Sequence, residues 1–172
     1  MKTKRVVVET YNSRWSEDFD KIREEILQSL GDLALKIHHV GSTSVPGLAA
    51  KPIIDIDVEI ASYDVFPLVR ERLSNAGYTH EGNLGISGRE AFCYENKRHL
   101  RKHHLYVCPS DSEELHRHIT FRDYLRSHPE AAAQYTSVKL AAADKFPQDI
   151  DAYMRYKSDC IAELYQACGL MK

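Results

Sequence analysis

Alternation of apolar and polar residues is strongest across residues 53–60. Isoleucine or valine occupies every second position on one side, while Asp55, Asp57 and Glu59 fall on the other. Strict alternation over four to eight residues is typical of a half-buried strand. Side chains two residues apart start about 6–7 Å from each other on one face, so Asp55 and Asp57 can converge on one cation. The bland alternative is an edge strand whose acidic face is solvated.

The same patterns predict the other elements. Further strands are expected at residues 5–9, 34–40, 78–81, 90–95 and 101–108, and helices at 16–30 and 64–76. Everything after Pro109 has helical periodicity, and Pro129 and Pro147 stand at breaks between three helices. We therefore predict an α+β fold with a small mixed sheet, flanking helices and a C-terminal helical lobe. We expect one domain over residues 1–172, with the sheet in 1–109 and the helical part in 110–172.

A turn rich in glycine and hydroxyl groups, residues 41–44, precedes the acidic strand. At Gly41 the missing side chain would let backbone N–H groups approach a phosphate. A Walker P-loop is excluded, because five residues separate Gly41 from Gly47 and Leu48 stands where that motif needs lysine. A hydroxyl of this turn could equally cap a short helix running to residue 50, which is compatible with phosphate binding.

Composition narrows the class of protein. The chain has 172 residues and a net charge of −2, so it offers no extended basic surface for duplex nucleic acid. No apolar run reaches the length of a membrane span, and the N-terminal segment is too short for a signal peptide, so we expect a cytoplasmic protein without a membrane partner. The four cysteines show no paired spacing and are expected to be free thiols.

Residues 39–57 resemble the signature of the GrpB family, a branch of the polymerase-beta-like nucleotidyltransferase superfamily. The superfamily pattern is an apolar residue, glycine, then glycine or serine, a spacer, and Asp-x-Asp/Glu on a strand. The matching residues are Val40, Gly41, Ser42, Asp55 and Asp57. The similarity continues to Lys157, and a related domain is fused to some dephospho-CoA kinases.

The resemblance implies a metal-dependent nucleotidyltransferase. Asp55 and Asp57 would hold Mg²⁺ or Mn²⁺, and Gly41 and Ser42 would hold the β- and γ-phosphates of a nucleoside triphosphate. The acceptor of the nucleotidyl group is not identified by the sequence. The nucleotide-binding residues expected on this basis are Gly41, Ser42, Ser44, Lys51, Arg122, Lys139 and Lys157.

The chain departs from the superfamily at the third carboxylate. Many members carry it on a neighbouring strand, but this chain has no Asp or Glu between Glu95 and Asp111. The resemblance implies that His104 takes its place, on a strand face shared with Lys102 and Tyr106 that should meet the two aspartates. A neutral imidazole can ligate Mn²⁺ or act as a general base. The expected catalytic and metal-binding set is thus Asp55, Asp57 and His104, and the alternative is an ordinary solvent-facing histidine.

Cationic residues recur at four-residue spacing in the C-terminal third. Such spacing puts His118, Arg122 and Arg126 on one helical face, and places Lys139 and Lys157 on faces of their own helices. Taken alone, this pattern is typical of a solvated face. The superfamily architecture implies instead that Lys139, Lys157 and Arg122 neutralise the triphosphate.

Two other functions remain open at this point. One is a catalytically inactive module of the same fold that binds a nucleotide or a CoA-related molecule, which the missing carboxylate favours. The other is a metal-dependent phosphohydrolase, which would use the same carboxylates but release phosphate into water.

Overall fold

The computed structural model describes residues 5–171, which form a five-stranded sheet and five α-helices. The strands are β1 (Lys36–Val40), β2 (Ile54–Ile60), β3 (Thr79–Gly82), β4 (Glu90–Cys93) and β5 (His103–Pro109). The helices are α1 (Arg14–Leu30), α2 (Phe66–Asn75), α3 (Glu113–Ser127), α4 (Pro129–Lys145) and α5 (Ile150–Ala167).

The sheet is mixed and has the strand order β1-β2-β5-β4-β3. Strands β2 and β5 are parallel, and the other neighbours are antiparallel. The acidic strand β2 is therefore interior, and the alternative of a solvated edge strand is wrong. The predicted α+β class with a C-terminal helical lobe is confirmed.

One face of the sheet packs on α1 and α2. Strand β2 contributes its isoleucines and Val58 to this face, and α1 contributes Trp15, Ile22, Ile26 and Leu30, all at most 1% exposed. Their helical spacing makes one apolar stripe along α1. Burial of this face turns the aspartates of β2 to the opposite face.

The helical lobe is attached to the loop that follows the turn at residues 41–44. Val45 and Leu48 of this loop pack with Leu125, Tyr135 and Leu164, which come from α3, α4 and α5. The cluster fixes the lobe beside the turn and brings α4 and α5 next to the N-terminal end of β2.

Two local predictions are wrong. Residues 5–9 form no strand, because this segment meets the sheet domain only through an isolated bridge between Glu9 and Ala50, while Val6 packs against the helical lobe. No α-helix runs to residue 50 either. A 3-10 turn at Ser42–Ser44 ends there without a side-chain cap, and Pro46 and Gly47 (φ +84°) interrupt any continuation.

Helix α1 begins two residues earlier than predicted, at Arg14, whose N–H donates to Asn12 Oδ1 at 2.9 Å. All four cysteines are free thiols, as expected. No helix within residues 5–171 combines the length and the apolar character needed to cross a lipid bilayer.

Candidate functional site

The two aspartates of β2 lie side by side with β5. Asp55 is paired in register with His104, and Asp57 with Tyr106, as the predicted strand face required. The side chain of Asp57 is 0% exposed and that of Asp55 33% exposed. One carboxylate is therefore buried in the sheet and the other opens to solvent.

Each carboxylate is held through one oxygen by an imidazole. His104 donates from Nδ1 to Asp55 Oδ1 at 3.0 Å, and His118 donates from Nδ1 to Asp57 Oδ2 at 2.6 Å. The other oxygen of Asp57, Oδ1, is buried with no hydrogen-bond partner. Asp55 Oδ2 faces the α-carbon of Gly41, where an added Cβ would lie only 2.2 Å away. Each aspartate thus keeps one oxygen free of the imidazoles.

His118 is a site residue that the sequence did not identify. The four-residue spacing placed it on a cationic face of α3 but gave no link to Asp57, which lies 61 positions earlier. Burial alone would lower the pKa of His118, but the hydrogen bond and charge of Asp57, helped by Glu114, outweigh burial and raise it. Asp57 thus favours the imidazolium form of His118 more than burial disfavours it, and a charged His118 compensates the charge of the buried Asp57.

The His104 side chain is half exposed. In the neutral tautomer that donates from Nδ1 to Asp55, the other nitrogen, Nε2, carries the lone pair. Within residues 5–171, no three His, Cys, Asp or Glu side chains converge as a metal-binding group. The geometry suits His104 to accept a proton, and its role as a metal ligand stays a prediction.

The turn that leads to the acidic strand is held in a conformation that requires glycine. Gly41 has φ +73° and ψ −175°, a region essentially restricted to glycine. The Ser44 hydroxyl donates to the Gly41 carbonyl, and His39 Nε2 is hydrogen-bonded to Thr43 Oγ1 at 2.9 Å. Burial, reinforced by Arg126, lowers the pKa of His39 to about 4, so its ring is neutral. Hydrogen bonds within the turn and to the preceding strand β1 therefore stabilise its conformation.

A cavity of about 160 Å³ lies between this turn, the end of β2 and the helices α4 and α5. Three lysines surround it: Lys51, Lys139 and Lys157. Lys51 Nζ and Lys157 Nζ lie 5.2 Å and 4.6 Å from the centroid of the Tyr153 ring. The complete lining is Ser42, Thr43, Ala50, Lys51, Ile53, Asp55, His104, Lys139, Tyr153 and Lys157. We call this space the lysine cavity.

Lys139 is the most buried of the three lysines, at 3% exposure. Its ammonium donates to Ser42 Oγ and to the Ala49 carbonyl, the latter at 3.1 Å. Burial lowers the pKa of Lys139 to about 7, and the neighbouring Lys157 adds to the effect. Burial likewise lowers the pKa of Lys157 to about 8. Burial thus disfavours the charged form of both lysines, and an anion in the lysine cavity would favour it again.

Three residues predicted to bind nucleotide are not part of the cavity lining, namely Gly41, Ser44 and Arg122, and the last two have other partners. Arg122 donates from Nη1 to the His39 carbonyl at 3.1 Å and from Nε to Asp123 at 2.9 Å. Ser44 is buried and bonded within the turn. Both shape the end of β1 and the turn, whereas Ser42, Lys51, Lys139 and Lys157 meet at the cavity together with Asp55 and His104.

Comparison with known proteins identifies the family and the fold. The model of the GrpB protein family matches residues 5–167. UPF0157 protein YqkA of Bacillus subtilis is 37% identical over 158 residues, which are 92% of this chain but 46% of that relative, so the chain spans less than half of it. The crystal structure of the conserved protein GrpB from Enterococcus faecalis has a TM-score of 0.81 at 34% identity, covering 94% of this chain and 96% of that chain.

More distant matches concern the fold. The structure of Cid1 in complex with its short product ApU has a TM-score of 0.53 at 11% identity, covering 76% of this chain and 40% of that chain. Cid1 has RNA terminal uridylyl transferase activity, so the fold is nucleotidyltransferase-like. A dephospho-CoA kinase of Mycolicibacterium paratuberculosis is 27% identical over 88% of this chain and 43% of that protein, as the resemblance implied. The family model covers residues 5–167, and the chain belongs to the GrpB family.

Proposed function

We propose that this protein transfers a nucleoside monophosphate from a nucleoside triphosphate to an acceptor hydroxyl. The observation that carries the proposal is the lysine cavity, which Lys51, Lys139 and Lys157 line together with Asp55 beside the Gly41 turn. Cid1, which shares the fold, has been solved with MgGTP and with the UTP analogue UMPNPP.

The lysines account for binding of the triphosphate. A triphosphate is a polyanion, and charge-assisted hydrogen bonds from ammonium groups are about twice as strong as neutral ones. Lys139 Nζ already donates to Ser42 Oγ. The two groups would therefore bind the phosphate together, or Lys139 would turn to the phosphate and leave Ser42 Oγ free to bind it. An anion in the cavity favours the charged form of both buried lysines, so binding takes up protons.

The two aspartates fit a hard divalent cation. Asp57 Oδ1 is a buried oxygen without a partner, and Asp55 Oδ2 is likewise not used by an imidazole. Magnesium is commonly held by one or two carboxylates plus substrate phosphates, so two free oxygens suffice without a third protein ligand. When bound, Mg²⁺ or Mn²⁺ would supply neutralisation of phosphate charge. His104 and His118 each hold one oxygen of a carboxylate, which leaves the other oxygen for the cation.

A histidine of this chain, His104, can accept the proton of the acceptor hydroxyl. His104 Nε2 is unprotonated in the tautomer that donates to Asp55, so it can accept the proton while the hydroxyl oxygen bonds to the α-phosphorus. The bond from that phosphorus to the bridging oxygen breaks, and pyrophosphate leaves towards the lysines. Asp55 then stabilises the resulting imidazolium.

A binding module without turnover is the second candidate. It is favoured by β5, which places His104 and Tyr106 opposite the aspartates, where many relatives in the superfamily carry a carboxylate. This candidate predicts metal-dependent nucleotide binding with no product.

Product analysis separates the candidates. The protein is incubated with Mg²⁺ and each triphosphate labelled at the α- or γ-phosphate, together with a mixture of hydroxyl compounds. Transfer predicts pyrophosphate and an α-labelled adduct, and Asp57→Asn should abolish both. The matched control is Glu59→Gln, because Glu59 lies on the same strand and is also bonded to a histidine, His38, at 2.9 Å.

Glu59→Gln should keep wild-type rates. Release of inorganic phosphate without pyrophosphate would replace transfer by phosphohydrolysis. Nucleotide binding with no product from any triphosphate would leave only the binding module.

A further inference from the structure

A second, larger space adjoins the lysine cavity through His104. It is a groove of about 620 Å³ over β4 and β5, and His104 lines both spaces. The groove residues that carry the argument are Ala91, Cys93, Arg98, Lys102, His104 and Tyr106. We call this space the β4–β5 groove.

The floor of the groove is the same sheet face that carries the aspartates. Asp57 is in register with Tyr106 on β5, and Tyr106 is in register with Ala91 on β4. Partners in register project to the same side of a sheet, and so does Cys93, two residues after Ala91. The groove residues of β4 and β5 therefore share a sheet face with the aspartates, and on this face Arg89 Cζ lies 4.2 Å from the centroid of the Tyr106 ring.

The two spaces lie on opposite sides of the Asp55–His104 pair. The lysine cavity is bounded by the Gly41 turn, α4 and α5, on the β1 side of Asp55, whereas the groove covers β4, on the far side of His104. In phosphoryl transfer the attacking and leaving oxygens are roughly in line through the phosphorus. If pyrophosphate leaves among the lysines, the attacking hydroxyl must arrive from the groove.

We propose that the β4–β5 groove is the acceptor site and that it takes a small hydroxyl-bearing molecule with one anionic group. The proposal rests on nucleotidyl transfer at the lysine cavity. Arg98 and Lys102 bind the anion, and the hydroxyl reaches His104 Nε2.

The groove itself indicates this class of molecule. Its volume is in the range of small-molecule sites, about 300–1,000 Å³. Arg98 and Lys102 are exposed and form no ion pair with another described residue. Glu81 and Glu95 also line the groove, so its charges nearly balance. An RNA strand needs a continuous basic groove, whereas here two unpaired cations share the lining with two glutamates, which suits a single anion better than a polyanion.

Cys93 provides a reporter inside the groove. It is the exposed thiol among the four cysteines, while Cys108 and Cys160 are buried. A trifluoromethyl label is attached to Cys93 in a Cys168→Ser background. ¹⁹F NMR then follows titrations of small probes into the protein, with Mg²⁺ and the α,β-methylene analogue of a nucleoside triphosphate present. The probes are glycerol 3-phosphate and glucose 6-phosphate, with glycerol, glucose and a short RNA as comparisons.

The phosphorylated probes should shift the Cys93 resonance saturably, and the uncharged probes should not. The double variant Arg98→Ala/Lys102→Ala should raise the Kd of the phosphorylated probes at least tenfold. Arg23 is an exposed cation on α1, and Arg23→Ala should leave that Kd unchanged. A label on Cys168, in a Cys93→Ser background, should report nothing.

Calorimetry on the same samples measures triphosphate binding separately. If the triphosphate binds but the phosphorylated probes fail to move the Cys93 signal, or move it no more than the uncharged ones do, the acceptor assignment is wrong and the proposed function stands. A response to RNA alone would also overturn it. If the triphosphate does not bind, nucleotidyl transfer fails, and the groove loses its role as an acceptor site.

Discussion

Substitution of Gly41 by alanine tests whether the turn exists to bring backbone next to Asp55. The residue has φ +73° and ψ −175°, and placing a side chain in that region costs about 1–3 kcal/mol. The new methyl group would lie 2.2 Å from Asp55 Oδ2, whereas carbon and oxygen approach to about 3.3 Å at closest. The carboxylate must therefore move by about 1 Å, which breaks its 3.0 Å bond to His104.

The strain predicts a measurable loss of stability. For a chain of this size, a loss of 1–3 kcal/mol in unfolding free energy lowers the midpoint of thermal unfolding by about 2–12 °C. A 1 Å misplacement of a catalytic group can lower a rate about 100-fold, and we expect at least tenfold weaker binding of the magnesium–triphosphate complex, about 1.4 kcal/mol. Denaturant unfolding and calorimetric titration measure the two effects independently.

Gly47 supplies the matched control. It also has a positive φ, +84°, but a Cβ there meets nothing within 4 Å. Gly47→Ala should lose about 1–2 kcal/mol of stability from backbone strain and retain wild-type nucleotide affinity. If Gly41→Ala also retained wild-type affinity, the close approach of Gly41 to Asp55 would have no part in binding, and the reasoning about this turn would be refuted.

Three further predictions concern buried polar groups. Lys139 has a pKa of about 7 when folded and 10.5 ordinarily, so it binds more protons in the unfolded chain between these values, and its contribution to the unfolding free energy should rise from pH 7 to 10. Lys139→Met should remove that contribution, and the same pH dependence in wild type and variant would contradict the assignment. Triphosphate binding near pH 8 should take up protons on Lys139 and Lys157, seen as a binding enthalpy that depends on buffer ionisation; no dependence would exclude uptake. Tyr78→Phe removes a 2.8 Å bond to the buried His103, which should cost about 1–3 kcal/mol and leave nucleotide affinity unchanged, whereas weaker binding would place this pair in the site.

The sequence pattern predicted secondary structure correctly where a single residue period distinguishes a strand from a helix. Alternation across residues 53–60 predicted the acidic strand and its face. Alternation around His104 separated two strand faces, and the resemblance to the GrpB family indicated which of them meets the aspartates. Capping signals failed at residues 42–44, because the same hydroxyls serve a 3-10 turn as well as a helix start. Apolar residues at 5–9 failed as a strand because no neighbouring strand is available beyond a single bridge.

Contacts between distant segments were not accessible from the sequence. Arg122 and Lys139 fit the same helical spacing, yet one binds the end of β1 and the other the Ser42 hydroxyl. Helical periodicity gives the face of a cation but not what the helix packs against. For the same reason the sequence did not identify His118 as a site residue. Its partner Asp57 is identified only when the packing of α3 on the sheet is known.

The most direct test of the account is a calorimetric titration of each nucleoside triphosphate into the wild type and into Asp55→Asn/Asp57→Asn, with Mg²⁺ and with EDTA. We predict saturable binding of at least one triphosphate that requires Mg²⁺ and is lost in the double variant. Equal affinity with Mg²⁺ and EDTA, or equal affinity in the double variant, would contradict the assignment of the two aspartates and the lysine cavity to a metal-dependent nucleotide site.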